Sequence, residues 1–437
     1  MKNPRLVVFL FFAAFFIIGG YLLMSAQGLF IDWQTFKIIH TGGAFFYYSP
    51  KDAQLTVNGK NYRTSSFFLN NGTLIKNLKP GLYNLDLSKE KFRPWKKTFE
   101  VKPGLVTEFK KITLIEEKIK KEVLTASAVK TFWLTSKGPV YQNSKNQLYF
   151  GDYRLSGQNV SAADKDSSLL ITKNNQEFFL TDLNKPEITV NLSRLFNSLK
   201  QRQLKIPGQI EIQKTFFHPS AKNKILIATK QAIYELDLKL VKIEKIIDIS
   251  PDAIIQIDQN RIFFKKDAEN LSVYNLLSHK IDEKEINFKN PKKIEVEPDG
   301  KIIGFLNQEN RFYIYDNQTK ETKEPLENEK IEDFSFSPDN LYLSLSNFKN
   351  EIKIINIKEK SISKVHTKEK DEDEFSWLEN LPHYLIIKNN SQLLLKDIFG
   401  QSDFNEYPLA ETIVEYRSAG RTVYILDTNQ TLTKLEL

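Results

Sequence analysis

Residues 332–357 read EDFSFSPDNLYLSLSNFKNEIKIINI. Three short runs of alternating apolar and polar residues are separated by turns rich in Ser, Pro, Asp and Asn, which is the chemistry of consecutive hairpin strands. The unit recurs. KTFFHPSAKNKILIATKQAIYELDL begins at Lys214 and KIEVEPDGKIIGFLNQENRFYIYDN at Lys293. Pro219, Pro298 and Pro338 hold the same turn, 79 and 40 residues apart, or two periods and then one. The third strand of each unit ends in an acidic or amide residue (Asp182, Asp237, Asn275, Asp316, Asn356, Asp397 and Glu436), at intervals of 55, 38, 41, 40, 41 and 39. A period near 40 built from three or four short strands predicts a β-propeller, because one such blade cannot bury both of its faces and must stack in a ring. Solenoids of helices or leucine-rich repeats need helices or shorter periods.

In its strand-turn-strand hairpins the arrangement resembles TolB-type and WD-type propellers, without the Gly-His and Trp-Asp marks of the latter. An earlier stretch, Lys130 to Asp152, fits the pattern although it lies only 30 residues before Asp182. Counting it gives eight four-stranded blades; discarding it gives seven. The chain stops just after a third strand, so a segment before Lys130, Glu122 to Ala126, is expected to supply the missing outer strand and cover an exposed sheet edge. Within the 55-residue interval, Leu192, Leu195, Phe196 and Leu199 fall at helical spacing ahead of Pro207-Gly208, which predicts a helical insertion over 192–204 that packs on one propeller face or docks a partner.

Upstream, residues 44–115 alternate strand-like runs with the turns Ser49-Pro50-Lys51-Asp52, Asn58-Gly59, Asn70-Asn71-Gly72, Lys79-Pro80-Gly81 and Lys102-Pro103-Gly104. A compact β-sandwich follows from that pattern. The order resembles the PEGA domain: Pro50-Lys51-Asp52-Ala53 stands at the family's tetrapeptide, with Pro50 and Ala53 retained. Val57-Asn58-Gly59, the stretch Leu78 to Leu87, Phe92 with Trp95, and Lys102-Pro103-Gly104 follow in the family's order. The resemblance implies a module set between an anchor and a larger extracytoplasmic part. Ser49, Pro50, Lys51, Asp52 and Ala53 are expected to form a structural turn.

Leu6 to Met24 carries no charge over 19 residues, which at about 1.5 Å per residue spans roughly 28 Å of bilayer. Lys2 and Arg5 precede it and the next charge is Asp32, so the positive-inside rule places the N-terminus in the cytoplasm and the bulk of the chain outside the cell membrane. A cleaved signal peptide has a shorter apolar region and a small-x-small site, which Met24-Ser25-Ala26 matches poorly. The expected plan is a cytoplasmic tip and signal anchor (1–27), a juxtamembrane linker (28–43), the PEGA-like sandwich (44–115) and the propeller (116–437).

The 437 residues are 41% hydrophobic and 27% charged, with 62 basic and 54 acidic residues interleaved to a net +8, so no nucleic-acid groove is indicated. No cysteine exists, which removes disulfides, thiolate metal sites and thiol catalysis. Five histidines (His40, His218, His279, His366 and His383) show no metal-ligand spacing, and His218 reads as a turn residue. Nucleophile elbows, P-loops and dinucleotide fingerprints are absent, and Asp371 to Glu374 reads as a solvated loop. The expectation is a non-enzymatic, membrane-anchored extracytoplasmic protein without cofactor or metal, whose propeller binds envelope protein or glycan. The alternatives are a propeller enzyme acting on envelope glycan and a scaffold for an envelope assembly complex.

Overall fold

The computed structural model describes residues 4–32, 37–62, 72–125, 128–164, 167–249, 254–258, 260–265, 270–281, 286–287, 291–327, 329–349, 351–358, 360–366, 374–399 and 405–437. The chain forms two compact units: residues 1–119 with Lys396–Tyr407, and residues 120–395 with 408–437.

The first unit begins with helix α1 (Pro4–Ala26), whose stretch Val8–Ala26, at a mean hydropathy of 2.3, is long and apolar enough to cross a membrane. Where the sequence reads as a linker, Leu29–Asp32 (β1) and Lys37–His40 (β2) pair as antiparallel strands; the apolar pairs Phe30-Ile31 and Ile38-Ile39, opposite each other in register, gave that segment strand chemistry that its short length concealed. Seven strands follow: β3 (Gly42–Ser49), β4 (Gln54–Val57), β5 (Lys60–Tyr62), β6 (Thr73–Leu78), β7 (Gly81–Ser88), β8 (Trp95–Val101) and β9 (Val106–Thr113). They form two sheets, β6-β3-β9 and β5-β4-β7-β8, in which only β3 and β9 are parallel. Asn70 and Asn71 of one expected turn lie outside the described residues.

Between these sheets Phe46 stacks on Phe109 with ring centroids 5.4 Å apart, and Phe99 meets both rings edge-on. Strand β8 alternates without error, Trp95, Lys97, Phe99 and Val101 facing in. Lys97 is therefore a lysine at a core position, 3% exposed. Its ammonium lies 3.0 Å from the carboxylate of Asp397, itself 0% exposed. Asp397 also accepts hydrogen bonds from Phe399 N, Asn405 N and Asn405 Nδ2. Burial pushes the Asp397 carboxyl up, against the pull of Lys97. Phe399 completes the aromatic cluster against Trp95 and Phe109, so this unit is finished by a segment some three hundred residues away in sequence.

The second unit is an eight-bladed propeller. The first blade is Val129–Thr135, Gly138–Asn143, Leu148–Phe150 and Tyr153–Arg154, so the early repeat is counted. The second is Asn159–Ala163, Leu169–Asn174, Glu177–Asp182 and Thr189–Asn191; the third Ile212–Phe217, Lys224–Thr229, Ile233–Asp237 and Lys242–Ile247. The fourth is Ile254–Asp258, Arg261–Lys265, Asn270–Asn275 and Lys280–Ile281, with Ile286–Asn287 added beside its third strand; the fifth Pro291–Val296, Ile302–Asn307, Phe312–Asp316 and Thr322–Lys323. Ile331–Phe336, Tyr342–Asn347, Glu351–Asn356 and Ile362–His366 make the sixth; Glu374–Leu378, Leu381–Asn389, Gln392–Asp397 and Glu406–Ala410 the seventh. The eighth joins Ile413–Ala419, Thr422–Asp427 and Leu432–Glu436 to an outer strand from the start of the unit, β10 (Lys120–Thr125), with Lys120 opposite Glu436 and Val123 opposite Thr433. Ala126, the end of the expected closing segment, lies outside the described residues.

Second strands such as Leu343–Asn347 are buried on both faces because neighbouring blades cover each sheet. Packing there is close: a Cβ on Gly304 would meet Phe334 of the next blade at 2.5 Å. From the second blade to the seventh, the residue ending the third strand caps the turn after it. Asp237 Oδ1 accepts from the amides of Lys239 and Leu240, and Asn275 and Asp316 do the same one and two blades on. Helix α2 (Leu192–Gln203) accounts for the long interval. Asn191 caps its N-terminus by accepting from Arg194 N, and Leu192, Phe196 and Leu199 join the core shared by the second and third blades, Phe196 edge-on to Tyr234. Its stripe packs locally.

Candidate binding recess at the inner strands

First strands of neighbouring blades touch one another from the first blade to the third and from the fourth to the eighth, and the first blade's touches the eighth's, so these strands line the centre of the ring. On the fifth blade's first strand, Ile294 and Val296 are buried in the core, whereas Lys293 and Glu295 reach the first strand of the sixth blade. Lys293 Nζ lies 2.6 Å from Asp333 Oδ1 and donates to Phe334 O at 2.7 Å. Glu295 accepts from Ser335 Oγ at 3.0 Å and Phe336 N at 2.9 Å. Burial pushes the Glu295 carboxyl up, offset in part by Lys293 and these two donors. Trp377 donates its indole N–H to Ser335 O at 3.1 Å, and Thr131 donates to Glu415, which holds Arg417 at 2.6 Å.

Across the sixth, seventh and eighth blades these strands leave a recess of about 590 Å³, bounded chiefly by Glu332, Asp333, Glu374, Phe375, Tyr416 and Arg417, with three serines between them. Two of its carboxylates have cationic neighbours: Asp333 has Lys293, and Glu374 lies 3.7 Å from Lys388. Burial raises the Tyr416 hydroxyl pKa, so the phenol stays neutral and can donate. Carboxylates, hydroxyls, one guanidinium and two aromatic rings suit a hydroxyl-rich or cationic ligand. Among the described residues no group of three His, Asp or Glu is placed to hold a metal ion.

The residues singled out in the sequence lie elsewhere. Ser49 ends β3, the Ser49–Pro50 peptide is cis, Lys51 is exposed, and Ala53 is buried in the sandwich core. Asp52 pairs with Lys89 at 2.7 Å, and that hydrogen bond holds its carboxyl below the usual range. Pro219, Pro298 and Pro338 follow the ends of first strands; Pro338 lies beyond the opposite end of its strand from Glu332 and Asp333. His218, beside Pro219, is buried 3.5 Å from Glu235. Glu374, read as part of a solvated acidic loop, is the first residue of an inner strand, while Asp371, Glu372 and Asp373 lie outside the described residues. The missed signal was a charged pair, Glu332-Asp333, opening a strand that the repeat puts first in its blade.

No family model and no curated protein matches the chain. Among solved structures it is similar to BamB from Moraxella catarrhalis, at 8% identity over 73% of this chain and 99% of that one, with a TM-score of 0.46. It is also similar to Hsv2 from Kluyvelomyces marxianus, at 11% identity over 60% of this chain and 86% of that one, with a TM-score of 0.40.

Proposed function

We propose that this is a non-enzymatic, membrane-anchored extracytoplasmic binding protein, in which α1 crosses the membrane and a PEGA-like sandwich presents the propeller to envelope protein or glycan. The observation that carries it is the recess: polar and aromatic side chains from three consecutive blades converge on one cavity, as they do in sites that recognise polar ligands. The test is titration of the full chain in detergent with envelope glycan fragments, beside crosslinking and mass spectrometry in cells. Binding lost on Glu332→Gln or Arg417→Ala supports the recess as the site. A single reproducible protein partner, unaffected by glycan, supports a scaffold for an assembly complex. Binding that ignores both substitutions overturns the recess as the site. A protease-protection assay on spheroplasts tests the orientation, since a propeller cut only after lysis reverses it.

A second reading, a glycan hydrolase or lyase, is favoured by one observation, the three carboxylates Glu332, Asp333 and Glu374 in a single recess. It predicts shortened products from envelope glycan, abolished by Glu374→Gln; unchanged glycan after prolonged incubation removes it.

A further inference from the structure

One end of the sandwich carries the same tetrapeptide twice. Lys79-Pro80-Gly81-Leu82 joins β6 to β7, and Lys102-Pro103-Gly104-Leu105 joins β8 to β9. Strand register brings the two turns to one end. Leu78, the last residue of β6, pairs with Gly42, the first of β3; Gly81, the first of β7, pairs with Val101, the last of β8; and Gly43 pairs with Val106, the first of β9.

The chain leaving α1 is fastened to this same end. Gly28, two residues past the helix, accepts from Thr41 N at 2.8 Å and Thr41 Oγ1 at 2.9 Å. Thr41 O in turn accepts from Gly104 N at 3.0 Å, and Leu105 O from Gly43 N at 2.9 Å. Two strand spacings, about 10 Å, therefore separate the helix terminus from the second turn. The seat is tight, because a Cβ on Gly42 would lie 2.5 Å from Lys102 O.

Folding leaves large aliphatic side chains in solvent here. Leu82 is 71% exposed, Leu105 58% and Val106 51%, with Ile38 of β2 at 61%. Lys79 and Lys102 precede the two leucines, and both are exposed. One carboxylate, Glu100, faces Leu82 in register. Apolar side chains beside lysines, on rigid Pro-Gly turns, match the layer where acyl chains give way to phosphates. The apolar span of α1 ends at Ala26, so whatever is fastened to Gly28 is held near that layer.

We propose that this end of the sandwich is a membrane-seating surface: Leu82 and Leu105 enter the headgroup region of the leaflet from which α1 emerges, and Lys79 and Lys102 contact lipid phosphates. The proposal rests on α1 being a membrane span. A lipid surface is the occupant because the chain itself carries the patch to the bilayer, whereas a soluble partner or a second copy would have to compete with lipid already in place.

The chain lacks cysteine, so single cysteines can be labelled cleanly. The full chain, reconstituted in phosphatidylcholine–phosphatidylglycerol vesicles, would carry an environment-sensitive fluorophore at Leu82→Cys, Leu105→Cys, Phe16→Cys or Glu90→Cys. Glu90 is exposed and follows the opposite end of β7. At the two leucine positions, headgroup nitroxide lipid is expected to remove most of the emission while iodide removes little; Glu90 should show the reverse. Lys79→Glu with Lys102→Glu should weaken the nitroxide effect at Leu105→Cys. Leucine probes open to iodide, with Phe16→Cys quenched by acyl-chain nitroxide, would overturn the seating surface and leave the anchor standing. Leucine probes shielded from both quenchers would mean that protein covers the patch, which also overturns it. A Phe16→Cys probe untouched by acyl-chain nitroxide removes the anchor, and the seating surface with it.

Discussion

The sandwich and the propeller reach closed cores by opposite routes. In the propeller the first seven blades are each made from consecutive residues at a period near 40 over most of the ring, the residue that ends the third strand caps the turn after it from the second blade to the seventh, and one long-range pairing, β10 with Leu432–Glu436, closes the ring. In the first unit a single aromatic core is completed by Phe399, and the lysine at its core, Lys97, is neutralised by Asp397. Stability in the ring is thus spread over repeated contacts, each small; in the first unit it is concentrated in a few groups that meet only once. Local encoding tolerates damage in a graded way, and non-local encoding fails at particular residues.

The sharpest way to break that contrast is Asp397→Ala. It leaves the Lys97 ammonium buried without its carboxylate, which should cost about 3–5 kcal/mol, and adding Lys97→Met should recover most of the loss. Urea unfolding followed by tryptophan fluorescence reads both; a loss under about 1 kcal/mol, as for a surface pair, would erase the contrast. The seam of the ring is next. Glu122→Pro with Val123→Pro removes one or two ladder hydrogen bonds and should cost about 2–3 kcal/mol, with aggregation from the opened edge of the eighth blade visible by light scattering. An ordinary blade contact should respond less. Gly304→Ala pushes a methyl against the Phe334 ring and should cost about 2 kcal/mol in the same unfolding assay.

The smallest effect is a pH dependence. Burial depresses the His218 pKa below its usual 6.5, against the attraction of Glu235. The folded state therefore binds fewer protons at this site than the unfolded chain. Its contribution is complete above about pH 6.5 and declines as pH falls through the depressed value. His218→Gln should flatten the stability profile below that pH, as measured by melting temperature in a buffer series; an unchanged slope would assign the dependence to other groups.

The ring was legible because its information is local. Period, turn prolines and the residues ending third strands all lie within one blade of sequence, and each has a direct physical role, as the amides collected by Asp237 and Asp316 illustrate. The short strand pair β1–β2 was not legible, since four-residue strands carry too little alternation to stand out beside a membrane-like helix. The recess was hidden for another reason. Glu332, Glu374 and Arg417 are separated by about one blade each, and nothing in a linear reading distinguishes a charge at the ring's centre from one in solvent.

By itself, then, the sequence determined the apolar helix, the alternating strands, the helical stripe at Leu192–Leu199 and the repeat that requires a ring, because propensity and periodicity act over neighbouring residues. Only the tertiary structure decided that Lys97 is buried and partnered, that Phe399 completes the sandwich core, that two identical turns share one end of the sandwich, and that polar side chains from three blades, carboxylates from two of them, face one cavity. Those outcomes depend on pairings between distant segments, whose energies are set by burial and distance in space, and spacing along the chain does not encode them.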